Sequence, residues 1–186
     1  MIEQNYAGYL LAAHPKRGEV SLRKSTMLII DHDASGAIGL QVNKPFISNV
    51  TLSSVMQNIG LVSTNDQPLF NGGPESSNRI HIVHSLDWFS PTTNKLNDHI
   101  GISSDLSVLT AISKDEGPNY FRAIAGFTRW LPGHLEGEIL GESPWTIQHC
   151  WSYIPANADT LFLYTEIDQW HRVITDASRH QIANWF

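Results

Sequence analysis

The 186 residues are 41% hydrophobic and 16% charged, which excludes a disordered chain and allows one domain with a sizeable core. The net charge of −6 is uneven: residues 1–30 hold Lys16, Arg17, Arg23 and Lys24 against Glu3 and Glu19, whereas the rest holds eight basic against sixteen acidic side chains. That balance makes direct DNA binding doubtful, because nucleic-acid affinity comes from lysine and arginine displacing counterions, and it leaves Lys16 to Lys24 as a solvated basic loop.

The N-terminus lacks the positive start of a secretory signal, and no apolar run is long enough to span a membrane. The lone Cys150 cannot form an internal disulfide, so a cytoplasmic protein that does not engage membranes is expected.

In chain order, "YAGYLLAAHP" reads as a first strand stopped by Pro15, and "STMLIIDH" as a second, buried on both faces. The turn "DASG" leads into "AIGLQVNK", so the second and third strands form a hairpin. Glycines that cradle phosphate lead from a strand into a helix, but here they lead into another strand. Gly36 is therefore expected to supply a positive φ at the turn, Gly39 a close backbone approach, and Pro45 the end of pairing.

"VTLSSVMQNIGLV" follows as a helix with Leu52, Val55, Met56 and Ile59 inward, Thr51 as N-cap and Gly60 as stop. "PLFNGGPESSN" is a short strand and a glycine loop. "RIHIVHS" is a half-buried strand that puts His81 and His84 on opposite faces. "LDWFSPTTNKLND" reads as a loop with a Trp-Phe anchor, "HIGIS" as a strand, and "SDLSVLTAISKDEG" as a helix with Leu106, Leu109, Ala111 and Ile112 inward. "NYFRAIAGFTRW" resumes β structure, "PGHLEGEILG" is a short helix, and "PWTIQHC" is a strand. The apolar "DTLFLY" and a helix over "DQWHRVITDASRH" complete a single domain of mixed α/β (α+β) class, with hairpins and no strict βαβ alternation.

Nine histidines invite a metal search, but His-Glu-x-x-His is absent, and His134-x-Glu136 lacks the Pro-Cys-x-x-Cys of a zinc deaminase. No cofactor motif is present, and no Gly-x-Ser-x-Gly elbow supports a serine hydrolase. The loop "NGGPESSNR" could turn the Gly72 and Gly73 amides toward an anion with Arg79 nearby, although a tight turn between strands is the simpler reading. Glu136 and Glu138 lie two apart on a helix and so do not face each other as an acid–base pair.

Taken in order, "GYLLAAHP", "STMLIIDHDASGAIGLQVNKP", "FNGGPESSNRIHIVHS", "GFTRWLPGHLEGEI" and "SPWT" resemble the YqgE/AlgH family of bacterial proteins. The resemblance covers nearly the whole chain, from about residue 8 to the final helix; its motifs fall on Gly36 to Pro45, Gly72 to Pro74 and Trp130 to Glu138, with departures at His134, where the family usually has Gln, and Glu75, where an apolar residue is usual. It implies a strongly bent mixed sheet forming a pseudo-barrel-like core flanked by helices. It also carries a family label of transcriptional regulator, without agreed catalytic residues. The expectation is a regulatory or binding module for an unknown protein or small-molecule partner. Its candidate ligand residues are Asn43, Gly72, Gly73, Arg79 and Glu136. The alternative is an enzyme, such as a hydrolase, working through the Gly-Gly-Pro and Asn-x-Pro loops.

Overall fold

A computed structural model describes residues 4–16, 20–142 and 149–183, with side chains through Arg179. The sheet grows from the hairpin of β2 (Thr26–Asp33) and β3 (Gly36–Gln41), closed by the two residues between Asp33 and Gly36. Gly36 has φ +126°, and a Cβ there would lie 2.1 Å from the Trp130 carbonyl oxygen, so the turn admits only glycine. A Cβ on Gly39 would lie 2.9 Å from the Trp130 ring, which makes that glycine the close approach expected within the strand. Pro45 keeps only an isolated bridge to Phe70, because β3 itself ends at Gln41.

β1 (Tyr9–Ala13) pairs with β2 on one side and β9 (Trp151–Pro155) on the other, both antiparallel. Register then aligns Ile154, Leu10, Leu28 and Leu40 across four strands on one face, and Leu11 and Met27 on the other. That alternation is why Met27 to Ile29 in β2 are apolar without a break: each face meets its own core.

β8 (Phe121–Trp130) joins the two ends of the sheet. Its last residues pair with β3. Its first half pairs antiparallel with β5 (Glu75–Ser85) and parallel with the short β4 (Phe70–Asn71). The change of partner falls around Gly126, at φ +78°. β5 pairs onward with β7 (Ile100–Ser103), and β7 with β6 (Asn94–Lys95).

One core cluster takes residues from both ends of this path, Leu28 and Leu40 together with Val83 and Ile102, so the sheet curls into a half-barrel with that cluster in its hollow. α4 (Glu166–Ala183) fills the hollow with Trp170, Val173 and Ala177, and the Trp170 indole N–H donates to the Ala13 carbonyl at 2.8 Å. On the outside, α3 (His134–Leu140) buries Leu135 and Ile139 against Leu11, Met27 and Trp151. α1 (Leu52–Asn58) and α2 (Leu106–Ser113) cover the other half through Leu52, Met56, Val108 and Ile112. Each such side chain contributes roughly 1.5–3 kcal/mol on leaving water.

Several expectations change. The expected half-burial of 79–85 does not hold at its centre: residues His81 to His84 are all buried, because Val83 faces the hollow and Ile82 faces the outer helices, while Arg79 stays exposed. Ile59 is the C-cap of α1 and exposed, while Thr51 is the N-cap as expected. Leu106 is exposed at the first turn of α2, where Val108 takes the inward place. In the long loop Trp88 packs on the outer cluster, but Phe89 is exposed. "DTLFLY" forms a π-helical turn over Asp159–Leu163. The strand expected over "PWTIQHC" falls mostly on 143–148, outside the described residues, and β9 begins at Trp151.

Candidate functional site

The Asn-x-Pro and Gly-Gly-Pro loops are zipped together by main chain. The Gln41 N–H donates to the Gly72 carbonyl, the Asn71 N–H to the Lys44 carbonyl, and the Phe46 N–H to the Leu69 carbonyl, all at 2.9–3.0 Å. In front of this zipper opens a cleft of about 1060 Å³, closed on its other side by the turn that carries Ser21 and Leu22. That volume matches the upper range of ligand pockets. Phe46, Pro45 and Pro74 give the cleft apolar walls, and Gln41, Asn71, Ser77 and Thr128 place polar groups between them. Lys44 is the one charged residue among its described lining. Its ammonium donates to the Ser21 carbonyl at 2.8 Å, and burial holds its pKa below the usual lysine value. At the rim Ile47 is fully exposed, and Val20, beside Ser21, is 74% exposed.

Five residues were the candidates, and the structure divides them. Gly73 lines the cleft; a Cβ there would lie 2.4 Å from both the Phe127 carbonyl and the Thr128 hydroxyl. Gly72 is buried behind it, where a Cβ would lie 2.2 Å from the Gly126 carbonyl oxygen. The Gly72 amide donates to the Ala125 carbonyl, and the Gly73 amide points at the Asn71 side-chain oxygen at 3.3 Å. Both amides therefore have partners within the chain, as the tight-turn reading expects.

Asn43 is also behind the cleft. Its Oδ1 accepts the Thr26 amide, and its Nδ2 donates to the Lys24 and Glu166 carbonyls. Those bonds fasten the end of β3 to the start of β2 and of α4. Arg122 extends the same fastening: its guanidinium donates to the Val42 and Tyr164 carbonyls and to Gln169 Oε1, 4.7 Å over the Phe70 ring. With no carboxylate among these partners, burial depresses its pKa to about 10.

Arg79 lies elsewhere, exposed beside a 270 Å³ depression with Ser104 and Asp105. Asp105 caps α2 there by accepting the Ser107 amide at 2.8 Å.

Glu136 sits on the opposite, outer face with α3. Its Oε1 is 3.1 Å from His32 Nε2, whose other nitrogen accepts the Tyr6 amide at 3.1 Å. The ring proton therefore sits on Nε2 and is donated to the carboxylate. Tyr6 packs against the His32 ring and edge-on with Tyr9 and Tyr153, and burial foremost raises the Tyr6 pKa to about 12. Glu138 turns to different partners, the Trp130 and Trp151 indole N–H groups. The two carboxylates thus serve separate neighbours, as their spacing implies.

Sequence reasoning missed Lys44, Phe46 and Thr128 as cleft residues. The signal present was Lys44 inside the Asn-x-Pro segment; the pairing that brings Gly73 and Thr128 beside it leaves no local trace. His81 and His84 do face opposite sides, His81 toward Phe127 and His84 toward Trp88. Among the described residues no group of three or more His, Cys, Asp or Glu is placed to hold a metal ion. No described helix is long and apolar enough to cross a membrane.

The fold recurs in known proteins. The AlgH protein of Pseudomonas aeruginosa superimposes with a TM-score of 0.72 at 23% identity, over 94% of this chain and 88% of that one. A Corynebacterium diphtheriae protein gives the same TM-score at 20% identity, over 93% and 87%. In sequence, a UPF0301 protein of Sphingopyxis alaskensis is 30% identical over 92% of this chain and 89% of its own length. One from Methylococcus capsulatus is 32% identical over 86% and 84%. The model of the AlgH-like family matches residues 10–180, and the chain belongs to that family.

Proposed function

We propose that this chain is a binding module whose ligand occupies the cleft between the Asn-x-Pro and Gly-Gly-Pro loops. One observation carries the reading: two motif segments some thirty residues apart converge on a single roomy concavity with a half-buried lysine in its wall. Such a pocket, mainly apolar with a few convergent polar groups, is the usual form of a ligand site. A hydrolase working through the same loops would need a nucleophile beside a base. The described lining offers hydroxyls and Lys44 but no histidine, thiol or carboxylate, and the lysine already donates to the Ser21 carbonyl. Those groups suit recognition better than turnover. A direct DNA-binding role is poorly supported by the net charge of −6.

The test is amide-shift mapping of the ¹⁵N-labelled protein with a cocktail of benzoate, isopropanol and N-methylacetamide. Shifts concentrated on Phe46, Ile47, Gly73 and Thr128 are expected. Shifts concentrated at Arg79 and Ser104, or around Tyr6 and Tyr153, would move the site elsewhere.

A further inference from the structure

The cleft's chemistry narrows its occupant, on the reading that it is the binding site. A phosphate group is a poor match. Phosphate sites use several main-chain amides or more than one cation, yet the Gly72 and Gly73 amides are engaged within the chain and Lys44 is the one charged residue among the described lining. A single ammonium that already donates one bond retains enough capacity for one carboxylate. The surroundings favour such an anion: no described lining residue is acidic, and the exposed Arg23 and Lys24 follow Leu22 in the turn that forms one wall.

Shape separates the remaining carboxylates. A fatty-acyl chain is best buried in a continuous apolar channel. Here apolar Phe46, Pro45 and Pro74 are interspersed with polar Gln41, Asn71 and Thr128, so both kinds of surface run along the cleft. An extended peptide presents the same mixture, with main-chain donors and acceptors between apolar side chains. At the rim, fully exposed Ile47 and largely exposed Val20 add apolar surface of the kind that partner proteins cover.

We infer that the cleft takes an extended segment of a partner protein in which apolar and acidic residues alternate, with one side-chain carboxylate seated on Lys44. Docking such a segment brings the carboxylate to the ammonium and the apolar side chains to Phe46 and Ile47. The half-buried setting strengthens the pairing relative to one in open water.

The experiment titrates the ¹⁵N-labelled protein with two matched pools of N-acetylated, C-amidated pentapeptides. One pool alternates Leu, Ile, Val or Phe with Asp, the other with Asn, and decanoate is run alongside. The Asp pool is expected to shift the amides from Lys44 to Ser48 and of Gly73, with binding at least tenfold weaker for the Asn pool. Lys44→Gln should abolish the preference for Asp. Ile47→Glu, at a fully exposed position, should weaken the Asp pool by a similar factor while leaving the spectrum of the rest of the chain unchanged. Equal binding of the two pools, or cleft shifts with decanoate alone, would overturn the peptide assignment and leave the cleft as the binding site. Cleft amides that stay silent to every probe here and to the fragment cocktail would overturn both.

Discussion

The cleft and the α3 face are both built from family motifs, but they treat their polar side chains differently. On the α3 face each motif carboxylate is directed to an internal partner. Glu136 accepts from His32, Glu138 receives two indoles, and Tyr6 packs against the His32 ring. At the cleft the division runs between adjacent residues: Asn43 makes three bonds behind the wall, and Lys44 lines the cavity with no carboxylate among the described lining. A recurring polar residue therefore does not mark a ligand site by its type. What separates the two faces is the partner each charge has found: Glu136 faces the His32 N–H and Glu138 two indoles, whereas Lys44 holds a neutral main-chain carbonyl and keeps donors to spare.

The largest expected effect tests the backing of the cleft. Gly72→Ala sets a Cβ 2.2 Å from the Gly126 carbonyl oxygen and 2.6 Å from Ile124 Cγ2, contacts that neither strand can relieve without shifting. A loss of about 3 kcal/mol is expected, from a total of about 5–15 kcal/mol for a typical domain. Urea unfolding followed by circular dichroism reads it. An unchanged midpoint with lost peptide binding would move Gly72 from the scaffold to the site.

The histidines extend the contrast to acid. His81 bonds the Ser104 hydroxyl at 2.8 Å, and its Nε2 is buried without a hydrogen-bond partner among the described residues. Burial, aided by Arg79, lowers its pKa to about 4. The unfolded chain, near 6.5, takes the proton first, so this group's contribution is intact above about pH 6.5 and is lost as pH falls toward 4. A shift of that size corresponds to about 3 kcal/mol, and His84, also lowered by burial, acts in the same direction. Thermal melts at pH 7 and pH 4.5 should show a steep loss for the wild type and a distinctly shallower one for His81→Asn. Equal losses would mean that His81 titrates normally in the folded chain.

Much of this frame was legible in the sequence, and the reasons are local. The β2–β3 hairpin follows from a turn between apolar runs, Gly36 and Gly39 from the demands of that turn and its neighbours, and the Thr51 cap of α1 from side-chain chemistry. The missing parts depend on distant pairing. His81 to His84 read as half-buried because the periodicity of β5 cannot reveal that helices cover its second face there. His32 and Glu136 meet across 104 residues, and the cleft exists only because β4 runs beside β8 and carries Gly73 to Thr128. Periodicity reports what one segment buries, not which segment will cover it.

The smallest effect is the sharpest test, because it sets one substituted position from each face side by side. Glu136→Leu removes the acceptor of the buried His32 Nε2–H. Leaving such a donor unpaired costs about 1–3 kcal/mol. The lower end is expected, since Glu136 Oε2 is itself buried without a hydrogen-bond partner among the described residues, and its desolvation is relieved by the same change. Glu136→Gln keeps an oxygen for His32 and should cost less. Lys44→Gln removes a charge that burial already disfavours and keeps a donor able to reach toward Ser21, so its stability should stay within about 0.5 kcal/mol of the wild type. Urea midpoints of the three variants, measured beside peptide titrations, should fall into two patterns: stability lost with binding retained for the α3 variants, binding lost with stability retained for Lys44→Gln. If Lys44→Gln proves as destabilising as Glu136→Leu, the lysine is a structural strut between β3 and the Ser21 turn, and the cleft loses its one charged contact for a ligand.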